Sequence, residues 1–210
     1  MEILTTIASE LEAGNDEAVR NLTQSAIEEG VEPKTVLDEG LIAGMQVVGE
    51  RFQNHEIFLP DVLLAARAMN AGVDLLKPLL GDAENTSRGT IVIGTMKGDL
   101  HDIGKNLVGI MLGGAGFNVV DLGKDVPPER FVSAARESEA GVVGMSALLT
   151  TTMPTMKNVV SLLEKEGLSG KVKTIVGGAP VSEQFARDIG ADAYGFDAAN
   201  AVDRVRELMA

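Results

Sequence analysis

Residues 90–106 read TIVIGTMKGDLHDIGKN: a β-branched apolar run, then a polar loop carrying glycine, then apolar residues resuming at helical spacing. The run 90–95 has the unbroken hydrophobicity of a strand buried on both faces, and the loop leads into a helix beginning near Asp102. The same unit repeats toward the C-terminus. FNVVDL at 117–122, GVVGMS at 141–146, VKTIVGG at 172–178 and a weaker DAYGF at 192–196 are each followed by a helical stretch. Five strands alternating with helices predict an α/β fold with a parallel sheet covered on both faces. Ligands of such sheets sit beyond the carboxyl ends of the strands, so the loops after Thr95, Ser146 and Gly177 are the ones to watch.

Toward the N-terminus the periodicity changes. Leu41, Met45, Val48 and Phe52 recur at helical spacing, as do Val62, Leu63, Ala66, Met69 and Val73. Asn15 and Asp16 cap a helix running to about Glu29 and closed by Gly30. Pro33 suits the first turn of a helix reaching about Phe52, and Pro60 that of another reaching about Leu80. With a shorter opening helix that makes four, and the short connections favour an antiparallel bundle. Gly81 to Arg88 (GDAENTSR) is small, polar and rich in breakers, the composition of a linker and a natural hinge. Two domains are therefore expected, 1–86 helical and 87–210 α/β.

Composition narrows the function. Thirty-one acidic against eighteen basic side chains give a net charge of −13, which repels phosphate backbones and makes nucleic acid an unsuitable partner. Cysteine is absent, which excludes disulfides, Cys-ligated zinc and cysteine nucleophiles. The N-terminal stretch has acids in its first apolar run and no basic leader, and no apolar run reaches the roughly 18 residues of a membrane helix. A cytoplasmic protein is expected, without a membrane partner. With His55 and His101 the only two histidines, a His-rich zinc or di-iron site cannot be assembled in one chain.

The loop after the first strand fails the familiar phosphate patterns. Gly98 and Gly104 enclose five residues rather than four, and Asn106 follows Lys105 where a P-loop has Ser or Thr. No G-x-G-x-x-G follows the strand, and Ser146 stands where a receiver domain carries its phosphorylated Asp. What remains is Asp99-x-His101-x-x-Gly104, an imidazole with a carboxylate two residues before it and a glycine three after. A neutral imidazole can bind a metal through one nitrogen while a carboxylate orients the other. Gly104 would let a flat ligand approach the backbone. With one protein ligand, the metal must bring the rest of its coordination, as a macrocyclic cofactor does.

These segments resemble the cobalamin-binding corrinoid proteins of methyltransferase systems, related to the cobalamin module of methionine synthase. GDLHDIGKN matches the family's D-x-H-x-x-G motif, GMSALLTTT its S-x-L segment followed by Thr, and IVGGAPVS its glycine pair. Phe52 and Phe58-Leu59-Pro60-Asp61-Val62 resemble the cap over the cofactor's upper face, so the likeness spans essentially the whole chain. It implies a four-helix bundle cap followed by a Rossmann-like (flavodoxin-like) five-stranded sheet.

The resemblance implies cobalamin bound with its own base displaced, His101 becoming the lower ligand to cobalt. Asp99 would hold the far nitrogen of His101 and Ser146 would hydrogen-bond onward to Asp99. Leu148, Thr150, Gly177 and Gly178 would line the slot for the displaced nucleotide tail. Asp102, Ile103 and Gly104 complete the cofactor-binding set, Asp102 also favouring the helix N-terminus. Phe52 and Leu59 would shield the methyl group, and His55 reads as a solvated connector bordering them. The implied protein is a methyl carrier cycling between methylcobalamin and cob(I)alamin. Its catalysis is shared with a substrate-specific methyltransferase, an acceptor methyltransferase and a reductive activating protein. Methylamines, betaines, methanol and methoxylated aromatics are all open as donors, and tetrahydrofolate or coenzyme M systems as acceptors. A cobalamin sensor and the cobalamin subunit of a carbon-skeleton mutase are the alternatives.

Overall fold

The computed structural model describes residues 2–80 and 87–210. The chain divides into two compact units, Met1–Ser87 with Gly113–Gly116, and Arg88–Leu112 with Phe117–Ala210. Of the expected linker, Ser87 and Arg88 fall among the described residues and 81–86 lie outside them.

In the first unit, α1 (Glu2–Glu12) buries Leu4, Ile7 and Leu11, one stripe at spacings of three and four. Helix α2 (Asp16–Glu28) is capped by Asn15, whose side chain accepts from the Ala18 N–H at 3.2 Å. The third helical rod starts at Pro33 as expected, but is not uniformly α. It runs through α3 (Pro33–Thr35), a π-helical segment Val36–Ile42 and α4 (Ala43–Gln53), with the Ala43 N–H reaching back five residues to Asp38 O. Gly40 and Gly44 let α1 approach this rod: a Cβ on Gly44 would lie 2.9 Å from Ala8 Cα, and one on Gly40 3.2 Å from Ile7.

The rod ends in a Schellman closure. Glu56 N–H bonds Arg51 O, His55 N–H bonds Phe52 O, and His55 takes the left-handed conformation (φ 59°) usually left to glycine. His55 is an exposed connector, as its sequence position implied. Helix α5 (Leu59–Leu76) has Pro60 in its first turn and Asp61 accepting from the Phe58 N–H at 2.8 Å. It stops four residues short of the expected Leu80, where Pro78 has no N–H with which to continue the helical ladder. α5 packs on α2 and α4, and α1 on α2 and α4, closing a four-rod bundle. Arg67 on α5 pairs with Asp16 on α2 at 2.6 Å. Among the described residues no helix is long and apolar enough to cross a membrane.

The second unit is a five-stranded parallel sheet in the order β2-β1-β3-β4-β5. Its strands are β1 (Thr90–Thr95), β2 (Asn118–Asp121), β3 (Val142–Ser146), β4 (Lys173–Gly177) and β5 (Ala193–Gly195). Helices α6 (Ile103–Gly114), α7 (Pro128–Glu137), α8 (Met156–Lys165), α9 (Glu183–Ile189) and α10 (Ala198–Leu208) follow them in turn. This is the flavodoxin-like order, whose switch point lies between β1 and β3. One face buries Val92, Val143 and Val176 against Phe131, Met156, Val159 and Ile189 of α7, α8 and α9. On the other, Ile93 packs so close to α6 that a Cβ on Gly109 would lie 2.8 Å from it. The register aligns Thr95 with Ser146, Ser146 with Gly177, and Gly177 with Gly195. The residues that precede the expected site loops therefore form one row along the carboxyl edge.

Candidate functional site

At the switch point the chain leaves β1 through a tight turn, Met96 to Asp99. Asp99 N–H bonds Met96 O at 3.0 Å, and Gly98 occupies the third position with φ 86°, a conformation that glycine adopts without strain. The turn brings the Asp99 side chain under the sheet edge, where it is fully buried. A buried carboxylate must be matched by donors, and five converge on it. Oδ1 accepts from the His101 N–H at 3.0 Å and lies 2.7 Å from His101 Nδ1. Oδ2 accepts from the N–H groups of Leu148 (2.6 Å) and Leu149 (3.1 Å) and from the Thr152 hydroxyl (3.3 Å).

Burial pushes the Asp99 carboxyl up, but the N–H of His101, the N–H of Leu148, the His101 ring and the Leu149 N–H together outweigh it. They hold the group well below the usual carboxylate range. An ionised Asp99 only accepts, so Nδ1 of His101 carries the proton and, in a neutral ring, Nε2 keeps the lone pair facing away from Asp99. The ring itself is 55% exposed. A second bond from Thr95 Oγ1 to His101 O, at 3.2 Å, fixes the backbone beneath it.

The structure corrects one expectation here. Ser146 is not among the donors to Asp99. It ends the β3 ladder, its carbonyl taking the Met96 N–H, and the chain then bends so that the next two exposed residues present their backbone N–H groups instead. Leu148, expected to line a tail slot, thus acts first through its main chain. Thr152 was missed: the run Thr150, Thr151, Thr152 offers three equivalent hydroxyls, and the turn closed by Thr152 N–H to Leu149 O at 3.0 Å selects the third. Thr150 is exposed.

Two groups of glycines separate. A Cβ on Gly178 (φ 128°) would lie 1.9 Å from Ala147 O, and one on Gly177 2.9 Å from Gly195 O, so the fold itself demands glycine at both. At Gly104 a Cβ would meet nothing within 4 Å. Among the described residues no contact requires a glycine there. Leu100 and Ile103 before it, and Leu148 and Leu149 on the loop that donates to Asp99, are 64, 74, 42 and 37% exposed. Asp102 is half-buried at the start of α6, where its carbonyl accepts the Asn106 N–H. Among the described residues no cluster of three or more His, Asp or Glu side chains could hold a metal ion. A metal at His101 would have to bring most of its own ligands.

An exposed imidazole held by a buried carboxylate thus stands at the switch point of a doubly wound sheet. The family model described as B12 binding domain matches residues 89–205, and a second of that description matches residues 3–77. The trimethylamine corrinoid protein 1 of Methanosarcina mazei is 44% identical over 210 residues, 99% of this chain and 97% of that protein. The dimethylamine corrinoid protein of Methanosarcina barkeri is 45% identical over 210 residues, covering 100% of this chain and 98% of that one. Among solved structures, the methanol:cobalamin methyltransferase complex MtaBC from Methanosarcina barkeri matches with a TM-score of 0.91 and 35% identity, over 99% of this chain and 80% of that one. A cobalamin-binding protein from Desulfitobacterium hafniense matches with a TM-score of 0.79 and 33% identity, over 98% of each chain. The chain belongs to the corrinoid proteins, and its cofactor is a cobalamin-type corrinoid. The residues present fit that group: an available Nε2, a side-chain-free approach at Gly104 and exposed apolar side chains to lie against a macrocycle.

Proposed function

We propose that this protein is the methyl-carrying subunit of a methyltransferase system, exchanging a methyl group between a substrate-specific methyltransferase and an acceptor methyltransferase. A bound corrinoid supplies a cobalt centre able to take up and release a methyl group; the chain supplies its ligation and access. His101 is the lower ligand through Nε2, the corrinoid's own base being displaced. The contact that supports this reading is His101 Nδ1 to Asp99 Oδ1 at 2.7 Å, because an ionised Asp99 favours the Nδ1-protonated ring and leaves Nε2 free to bind a metal. Asp102, Ile103 and Gly104 lie against the macrocycle. Ser146, Leu148, Thr150, Gly177 and Gly178, at or just beyond the aligned strand ends, line the path of the displaced nucleotide tail. Phe52 and Leu59, both half-buried in the helical unit, shield the upper ligand.

Relatives named for trimethylamine and dimethylamine, and a structural match named for methanol, support a methylated amine or methanol as donor. That last match is a methyltransferase complex, which supports a methyltransferase partner. A reductive activating protein would restore the cofactor after oxidation. Electron paramagnetic resonance of the protein loaded with cob(II)alamin, with histidine unlabelled and then 15N-labelled, tests the ligation. The nitrogen splitting should change with the label and vanish in His101→Ala. A splitting indifferent to the label would remove His101 from the cobalt.

A further inference from the structure

The segment that follows β2 carries no part of the site as described, yet it grips the loop that does. Asp125 is exposed and sits in the left-handed region with φ 58°, uncommon for a residue with a Cβ. Such outliers persist where surrounding contacts over-determine them, and they gather at functional sites. The contacts here are specific. Asp125 Oδ1 accepts the Gly98 N–H at 2.7 Å, and the Asp125 N–H donates to Asp99 O at 3.1 Å. One residue thereby holds the peptide groups on both sides of the Gly98–Asp99 step. Its neighbour Val126 donates to Thr95 O at 3.0 Å, and Thr95 donates to Gly123 O at 2.9 Å.

The end of β2 itself takes the far flank of the loop. Lys105, in the first turn of α6, has a side chain only 3% exposed, and its amine is held by both carboxylate oxygens of Asp121, which also accepts the Gly123 N–H at 2.8 Å. A cation in the first turn opposes the helix dipole, so burying it there needs the counter-charge from β2. Gly98 on one side and Lys105 on the other bracket Asp99 and His101.

We infer that Asp125 is a positioning residue for His101: it fixes the Gly98–Asp99 backbone, which sets the Asp99 carboxylate and through it the imidazole. The inference rests on His101 being the lower ligand. Asp125→Ala removes the acceptor. Asp125→Gly removes it while relieving the backbone, and Asp125→Asn keeps both an Oδ1 acceptor and tolerance of positive φ. Three readouts apply to each full-length variant: hydrogen exchange of the Gly98 amide in the apo-protein, the 15N resonances of the His101 ring in the apo-protein, and corrinoid affinity. Ala and Gly should speed Gly98 exchange about tenfold, disturb the Nδ1-protonated ring signature and weaken corrinoid binding about tenfold, the low end for groups that orient a metal ligand. Asn should behave as wild type in all three. Melting temperatures little changed in the Gly and Asn variants separate this from general destabilisation, since Ala alone also strains the backbone at φ 58°.

Wild-type exchange and ring signals in Asp125→Ala would overturn the inference, as would Asn behaving like Ala. Wild-type behaviour of the Gly variant would overturn it too, since only the backbone would then matter. The two apo readouts do not involve cobalt. If the 15N-histidine splitting fails while they succeed, the ligand assignment falls and the brace on the loop stands.

Discussion

Leu148 donates its backbone N–H to Asp99 Oδ2 at 2.6 Å, across 49 residues of sequence, and so joins the loop after β3 to the loop after β1. The donor is main chain, where a hydroxyl from Ser146 was expected. Ser146→Ala should therefore leave the His101 ring resonances of the apo-protein in place and change stability by less than about 1 kcal/mol. Asp99→Asn turns one acceptor into a donor facing Leu148, Leu149 and Thr152, and buried donors left unmatched cost about 1–3 kcal/mol. Urea denaturation of both variants checks the pair. A larger loss in Ser146→Ala than in Asp99→Asn would restore the serine relay.

Asp99 also sets a pH dependence. Its carboxyl is held below the ordinary range in the folded protein, so in acid the unfolded chain takes up the proton first. The stabilisation is complete above the unfolded value of about 3.9 and drains away as the pH falls further. The stability gap between wild type and Asp99→Asn should shrink as the pH falls from about 4 to about 2. Urea midpoints over that range measure it, and a gap that widens in acid would reverse the sign.

The glycines should respond in opposite ways. Gly104→Ala adds a Cβ that meets nothing within 4 Å, and the apo-protein should gain about 0.4–1 kcal/mol from reduced freedom in the unfolded chain. Its corrinoid affinity should fall about tenfold or more, since a methyl group forced into a fitted contact costs about 1–3 kcal/mol. Gly178→Ala forces a Cβ onto Ala147 O at φ 128°, and should lose at least about 1–3 kcal/mol before any cofactor is added. Apo melting and corrinoid titration of the two variants distinguish a glycine kept for a ligand from one kept for the fold.

Lys105 and Asp121 should be unequal partners. Asp121→Asn strands a buried ammonium, whereas Lys105→Met leaves a carboxylate that is 40% exposed and can be hydrated. Losing one side of a fully buried pair costs about 3–5 kcal/mol, and the exposure of Asp121 brings the expected loss in Asp121→Asn toward the lower figure. Lys105→Met should cost less than half as much. Equal losses in thermal denaturation would mean that the amine has another route to solvent.

The alternation of short apolar runs with helical stretches was legible in the sequence because strand and helix write different periods into it, and glycine and proline mark where each must stop. That sufficed for the five strands, the four helical rods and the pairing of Asp99 with His101, two residues apart in one loop. The strand ladder lay beyond it. The row Thr95, Ser146, Gly177 and Gly195 is a register, set by how runs far apart in the chain settle side by side. The donors to Asp99 lay further out of reach, since every residue but proline carries the same N–H and nothing in the side chains of Leu148 and Leu149 marks theirs. The close approach of α1 to Gly40 and Gly44 is a contact between rods distant in sequence, and the brace from Asp125 depends on a left-handed backbone angle that the sequence does not announce. Local propensity chose the elements and the chain set Asp99 beside His101; the close approach of distant backbones decided which atoms hold that pair still.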